Sequence, residues 1–201
     1  MRRRSGLRKA AMSQYRERLW QTLSDALTHT GSVATALDFG SGDGWFARKM
    51  LDAQKFEHLQ TIDVKHRTDW IVPAMIYDGG TLPFADQAFD LSYSIDVLHH
   101  CPDPKVQLAD VLRCTKRYFL LKDHTYRTSF EFLKLCFFDE VGNRRFGIPS
   151  LYRYQKEWEW DPIFEASGFT RRLLIHPADL QDGLIGRFAH GLHFVSLWER
   201  A

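Results

Sequence analysis

Cysteine is scarce in this chain: Cys101, Cys114 and Cys136 stand far apart among 201 residues. They form no Cys-x-x-Cys pair, and an odd number leaves no complete disulfide framework, so reduced thiols in a reducing, cytoplasmic setting are expected. Long apolar runs are missing as well. None approaches the roughly 18–20 residues that a membrane-spanning helix needs. Charge of one sign does not dominate: 27 Lys and Arg face 25 Asp and Glu, and the isoelectric point of about 8.4 falls short of the value above roughly 9 that marks a nucleic-acid binder. The opening MRRRSGLRKAAMSQYRERLW is basic but lacks the apolar core of a secretory signal. A solvated basic tail is the expectation there, with an organellar transit peptide as the alternative. With no internal repeat, low-complexity tract or Pro/Gly-rich linker, residues 1–201 read as one domain, large enough to bury its own core.

What is present is an alternation of elements. Residues 8–30 carry Leu19, Leu23, Ala26 and Leu27 at helical spacing, with Gly31 as a stop. Strands are expected at 33–39, 59–64, 72–77, 90–95 and 117–122, and helices at 45–53 and 104–114. Strands alternating with helices through short connections imply βαβ units and a parallel sheet. The last third is less regular. Residues 128–138 and 155–167 look helical, 139–154 irregular, and 169–176 and 193–198 β-like around a glycine-containing loop. The two terminal strands are expected to pair as an antiparallel hairpin at one sheet edge.

The strongest local signal is LDFGSGDGW, residues 37–45, between a strand and a helix. Glycines at alternate positions 40, 42 and 44 let the backbone turn sharply and approach a ligand. The helix start beyond supplies free N–H groups and a positive dipole end. Trp45 stands where the dinucleotide fingerprint requires glycine, which argues against an NAD enzyme, and no P-loop is present. About 20 residues further on, Asp63 ends the second strand, where a doubly wound sheet presents an acid to a nucleotide ribose. Asp78 follows the third strand, placed to accept from an adenine amine.

These motifs, in order, are Leu37-Asp38-Phe39-Gly40-Ser41-Gly42-Asp43-Gly44, Asp63, Asp78 with Leu82-Pro83-Phe84, Asp86 with Phe89-Asp90, and Leu98-His99-His100. Over roughly residues 33–123 the chain resembles the class I S-adenosylmethionine (SAM)-dependent methyltransferases, in particular their "type 11" branch. The resemblance implies an α/β, Rossmann-like, doubly wound sheet of seven strands in the order 3-2-1-4-5-7-6, mostly parallel, with strand seven antiparallel. It implies SAM as cofactor and S-adenosylhomocysteine as product. The Gly40, Ser41, Gly42 and Gly44 backbone would lie under the methionine part. Asp38 would support the loop or the methionine amine, and Ser94 would border that amine. Asp63 would hold the ribose, Val64 pack on adenine, and Asp78 and Gly79 read the adenine edge.

Methyl transfer needs nucleophile, methyl carbon and sulfur in line, and a hydroxyl acceptor gains from a general base. His99 and His100 after strand four, and His124 after strand five, are the candidate bases. An ion-paired rim at Lys122 and Asp123 is the alternative use of that strand end. No metal constellation is evident, and the [DN]-P-P-[FY] motif of amino-methylating nucleic-acid enzymes is absent. Residues 125–160 exceed a minimal crossover and read as a substrate-side lid rich in Tyr126, Tyr152, Tyr154, Trp158 and Trp160, with Asn143, Arg144 and Arg145 as polar contacts. Residues 1–30 would close over the cofactor as an N-terminal helix. The expected acceptor is a small or lipid-like molecule, with no nucleic acid and no transmembrane segment. A SAM-binding partner or regulatory module without transfer activity is the alternative.

Overall fold

The computed structural model describes residues 2–143 and 150–201, with side chains described from 14 to 140 and from 150 onward. The elements run α1 (Arg2–Leu27), β1 (Thr35–Phe39), α2 (Trp45–Asp52), β2 (His58–Asp63), β3 (Met75–Ile76), β4 (Phe89–Ile95), α3 (Pro104–Cys114), β5 (Thr115–Tyr126), α4 (Ser129–Asn143), β6 (Gln155–Lys156), α5 (Asp161–Ala166), β7 (Phe169–Ile175), α6 (Gly183–Ala189) and β8 (His193–Arg200). A short 3-10 turn, Leu98–His100, lies between β4 and α3.

The sheet order is β3-β2-β1-β4-β5-β8-β7. The two-residue β6 pairs only with the end of β5. Setting β6 aside, this is the order expected from the sequence. β1, β2, β3, β4 and β5 are parallel, and β8 runs antiparallel to both β5 and β7.

Both faces of the central strands are covered, which is why they read as continuous apolar runs rather than alternating ones. On one face α1 lays Leu19, Leu23 and Ala26 against Ala36, Leu91, Leu120 and Val195. On the other, α3 and α5 bring Leu108, Leu112 and Phe164 onto Leu37, Phe119 and Trp198. Phe164 stacks on Trp198 with ring centroids 4.2 Å apart. α3 begins sharply because the Asp103 side chain accepts from Lys105 N and Val106 N, with Pro104 at the first helical position.

Several expected boundaries shift. The first helix begins at Arg2 rather than near residue 8, and β5 runs on to Tyr126. Residues 155–167 are a short strand followed by a one-and-a-half-turn helix. The glycine-containing loop of 177–192 holds α6. Trp160, expected on a lid, is core. Arg144 and Arg145 lie outside the described residues, as does the Asn143 side chain.

Candidate functional site

Two clusters meet at the carboxyl ends of the parallel strands. The first is built on main chain. β1 ends at Phe39, and Gly40 and Ser41 donate to Ile62 O at 2.9 and 3.1 Å, which turns the chain across β2. Gly40 and Gly44 have positive φ of 79° and 77°. A side chain at Gly40 would meet Val97 Cγ1 at 2.4 Å, and one at Gly44 would meet Val72 O at 2.5 Å. Gly42 also has positive φ, but nothing lies within 4 Å of where its Cβ would be. That open side of the loop is a cradle. Trp70 Nε1 fixes the loop from outside by donating to Gly42 O at 3.1 Å. α1 clamps it from above, Arg16 donating to Asp43 Oδ2 at 2.8 Å.

Acids line the cradle. Asp63 accepts from Gly42 N at 2.8 Å and from Lys65 N at 2.9 Å, one bond to each oxygen. Each oxygen keeps a lone pair for a further donor. Asp38 is buried beneath the loop, and its Oδ2 has no hydrogen-bond partner. Burial pushes its carboxyl up to about 8, the nearby Asp63 adds to the rise, and the Tyr93 hydroxyl opposes it. Ser41 Oγ and Ser94 Oγ are likewise buried without partners. Buried polar atoms are seldom left unpaired. Three of them around an open glycine cradle fit a ligand that brings its own donors and a positive charge. Beyond Asp63 the half-exposed apolar side chains of Val64, Met75 and Ile76 form a surface suited to a flat ring. A side chain at Gly79 would meet Val64 Cγ1 at 3.4 Å, and exposed Asp78 accepts from Gly80 N. The ten residues expected around a cofactor thus lie at or just beyond the carboxyl ends of β1–β4.

The second cluster is built from side chains. Asp96 follows β4 with φ of +56°, an uncommon conformation for a non-glycine residue. Its N–H donates to Lys122 O at 2.9 Å, which holds it there. Lys122 is fully buried. Its Nζ donates to Asp96 Oδ1 and to Tyr15 Oη at 2.8 Å, and Tyr15 Oη donates to Asp96 Oδ2 at 3.0 Å. His193 Nδ1 lies 3.3 Å from the same ammonium.

Next to this group, His99 Nδ1 and Asp123 Oδ1 are 2.6 Å apart and buried. Burial alone would lower His99, but the Asp123 carboxylate outweighs it and raises the imidazole. Burial opposes ionisation of Asp123, yet the His99 and His124 side chains hold it well below the carboxylate range. The pair is therefore a charge-assisted ion pair. His124 behaves differently. Burial and Lys122 lower it, with Asp96 opposing. Its Nδ1 has no hydrogen-bond partner and lies 3.4 Å from both Asp96 Oδ1 and Asp123 Oδ1. His100 is driven down to about 4 by burial and by His99. Tyr154 roofs the cluster, its ring centroid 5.3 Å from His99 and 6.0 Å from His124.

The fold thus unites all three histidines expected to matter, with ring centroids of 4.0 Å for His99–His100 and 4.9 Å for His99–His124. Tyr15, Asp96 and His193 were not foreseen. Asp96 alone left a trace, being an acid directly after β4. The sequence also showed no metal constellation, whereas the fold brings donor atoms of His99, Asp123 and His124 within 4.8 Å of one another. That spacing suits a shared metal ion as well as a shared proton, and adjacency in sequence could not reveal it.

The comparisons with known proteins point the same way. Residues 37–118 match a family model described as a methyltransferase domain. No curated protein matches the chain. Solved structures share its fold at low identity. An S-adenosylmethionine-dependent methyltransferase from Mesorhizobium loti aligns with a TM-score of 0.65 at 16% identity, over 91% of this chain and 98% of the other. A geranyl diphosphate C-methyltransferase from Streptomyces coelicolor aligns at 0.65 and 12% identity, over 92% and 79%. A chain solved in complex with the Trm112 methyltransferase activator of Haloferax volcanii aligns at 0.63 and 17%, over 91% and 90%. The family match spans the glycine loop, Asp63, Asp78 and the histidine turn, so this stretch of the chain is similar to methyltransferase domains, and the fold around it is the one that SAM-dependent methyltransferases of solved structure share.

Proposed function

We propose that the protein transfers a methyl group from SAM to a small or lipid-like acceptor held over the ends of β4 and β5, with His124 receiving the acceptor's proton. Bound SAM supplies a methyl group activated by a sulfonium charge. The remaining contributions come from the chain. Gly40, Ser41, Gly42 and Gly44 cradle the methionine part, and Asp38 and Ser94 lie nearest its amine. A carboxyl that titrates at about 8 when alone ionises readily against an ammonium group. Asp63 takes the ribose hydroxyls. Val64, Asp78 and Gly79 meet the adenine.

The observation that carries the acceptor chemistry is the unpartnered His124 Nδ1 between two carboxylates. A lowered pKa keeps the imidazole neutral and able to accept a proton. When a hydroxyl acceptor yields that proton, the imidazolium gains Asp96 and Asp123 as counter-ions. His99 is a positioning residue. Its ion pair fixes Asp123, whose Oδ1 in turn takes the His124 N–H at 2.7 Å. His100 shapes the same wall as a neutral imidazole.

The test is incubation of the purified protein with methyl-labelled SAM and fractionated cell extract, with S-adenosylhomocysteine affinity measured in parallel. Label should enter a low-mass or lipid fraction and should fall with His124→Gln. Tight binding of S-adenosylhomocysteine with no transfer to any fraction would reduce the protein to a cofactor-binding module.

A further inference from the structure

Among the described residues, two side-chain groups have the spacing of a cation's ligands, and they share His99. Donor atoms of His99, Asp123 and His124 lie within 4.8 Å of one another, and so do those of His99, His100 and Asp139. The first group is already closed. Asp123 Oδ1 accepts from the His124 N–H and is bonded to His99 Nδ1. The Lys122 ammonium is bound to Asp96 Oδ1, the oxygen that lies 3.4 Å from His124 Nδ1. A second cation there would meet a buried positive charge at close range.

The second group is built differently. The 3-10 turn Leu98–His100 brings its two imidazoles to a ring-centroid distance of 4.0 Å. Asp139 reaches them from α4. Asp123 holds His99 Nδ1, the carboxylate–imidazole arrangement that commonly stands behind a metal-bound histidine and leaves Nε2 for the ion. Asp139 Oδ2 accepts from Tyr154 Oη at 2.8 Å, which orients that carboxylate as well. His100 Nδ1 is buried without a hydrogen-bond partner, and such atoms are rare unless a ligand completes them. The field at His100 also differs from that at His124. Lys122 depresses His124, whereas Asp139, Asp123 and Asp96 all favour positive charge at His100, with only His99 opposing them.

The donor set narrows the ion. Two imidazoles and one carboxylate suit zinc or a neighbouring first-row metal, while magnesium and calcium prefer oxygen alone. Zinc ligands lie about 2.0–2.2 Å from the ion and so roughly 3.4 Å from each other, a spacing these side chains reach by shifts of about an ångström.

We propose that His99 Nε2, His100 and Asp139 hold one divalent cation of the zinc class, which ties α4 to the turn after β4. Loading displaces the Nε2 proton of His99 to solvent, while its Nδ1–H stays on Asp123. Three protein ligands leave a fourth position for water. The site does not depend on the methyl transfer proposed above.

The untagged full chain is stripped with a chelator and dialysed against zinc, and bound metal is counted by mass spectrometry. One zinc per chain is expected, retained in excess magnesium. Cobalt in its place should give the intense visible bands of a four- or five-coordinate ion, a measurement that needs no variant. His100→Gln and Asp139→Asn should each weaken zinc binding at least about tenfold, with the circular dichroism spectrum unchanged. His124→Gln should bind zinc as the parent does. A parent that retains no stoichiometric zinc, or equal affinity in both ligand variants, overturns the site. So does loss of zinc with His124→Gln, which would move the ion to the group around Asp123. Weak cobalt bands of an octahedral, water-coordinated ion overturn it too, since they mark a metal held only at the surface.

Discussion

The two halves of the site are made from different materials. The half proposed for the cofactor is largely backbone: a glycine turn and a few acids at strand ends. The acceptor half is largely side chains: two carboxylates, an ammonium and a set of imidazoles packed between β4, β5, β8 and α1. Backbone geometry is dictated by nearby sequence, whereas a side-chain cluster is assembled by topology. The halves should therefore respond differently to mutation. Changes in the first should move cofactor affinity, and changes in the second should move turnover.

The largest expected effect sharpens that division. His124→Gln keeps a polar group of similar reach but accepts no proton, so kcat should fall by about 100-fold or more for a hydroxyl acceptor, with the cofactor dissociation constant within about twofold. A comparable loss of affinity would merge the two halves. Asp63→Ala comes next. It removes a charge-assisted acceptor and also frees Gly42 N, so cofactor affinity should drop at least about tenfold, read by calorimetry, with the fold intact by circular dichroism.

Asp38→Asn offers a finer cut, visible in pH dependence. The folded carboxyl titrates at about 8 against an ordinary value of 3.8. A pKa raised by folding means that Asp38's contribution to stability is complete below pH 3.8 and is lost as pH rises through about 8. The Asn variant of the ligand-free protein should lose that slope in its urea midpoint. A parent with flat stability over this window would show Asp38 ionised throughout. The smallest effect belongs to Arg16→Ala. Its pair with Asp43 is partly exposed, and such pairs contribute about 0.2–1 kcal/mol, so cofactor affinity should weaken by less than about fivefold. A larger loss would make the α1 clamp an essential part of the cradle.

The same contrast explains what was legible in the chain. LDFGSGDGW announces its turn because only glycine suits φ near +79° where Val97 presses against the missing side chain. Asp63 and Asp78 stand at fixed intervals from it, so the rim proposed for the cofactor is readable from the chain residue by residue. His99, His100 and His124 were singled out from the ends of β4 and β5, but their partners were not. Asp123 lies 24 residues from His99, and His193 lies 71 residues from Lys122. Tyr15 enters from α1, 81 residues before Asp96. No local pattern encodes such meetings. α6 was hidden because Gly183 and Gly186, poor helix formers, read as loop. Trp160 looked like a lid aromatic because periodicity cannot tell which layer covers which.

One direct contact joins the halves. Val97 belongs to the turn that carries the histidines, and its methyl groups fill the notch left by hydrogen at Gly40. The glycine loop and the turn that carries the histidines therefore press directly on one another. α1 adds a second link, with Arg16 on the loop and Tyr15 in the side-chain cluster. Trimming the direct contact by Val97→Ala should leave both compartments intact yet let them slip relative to each other.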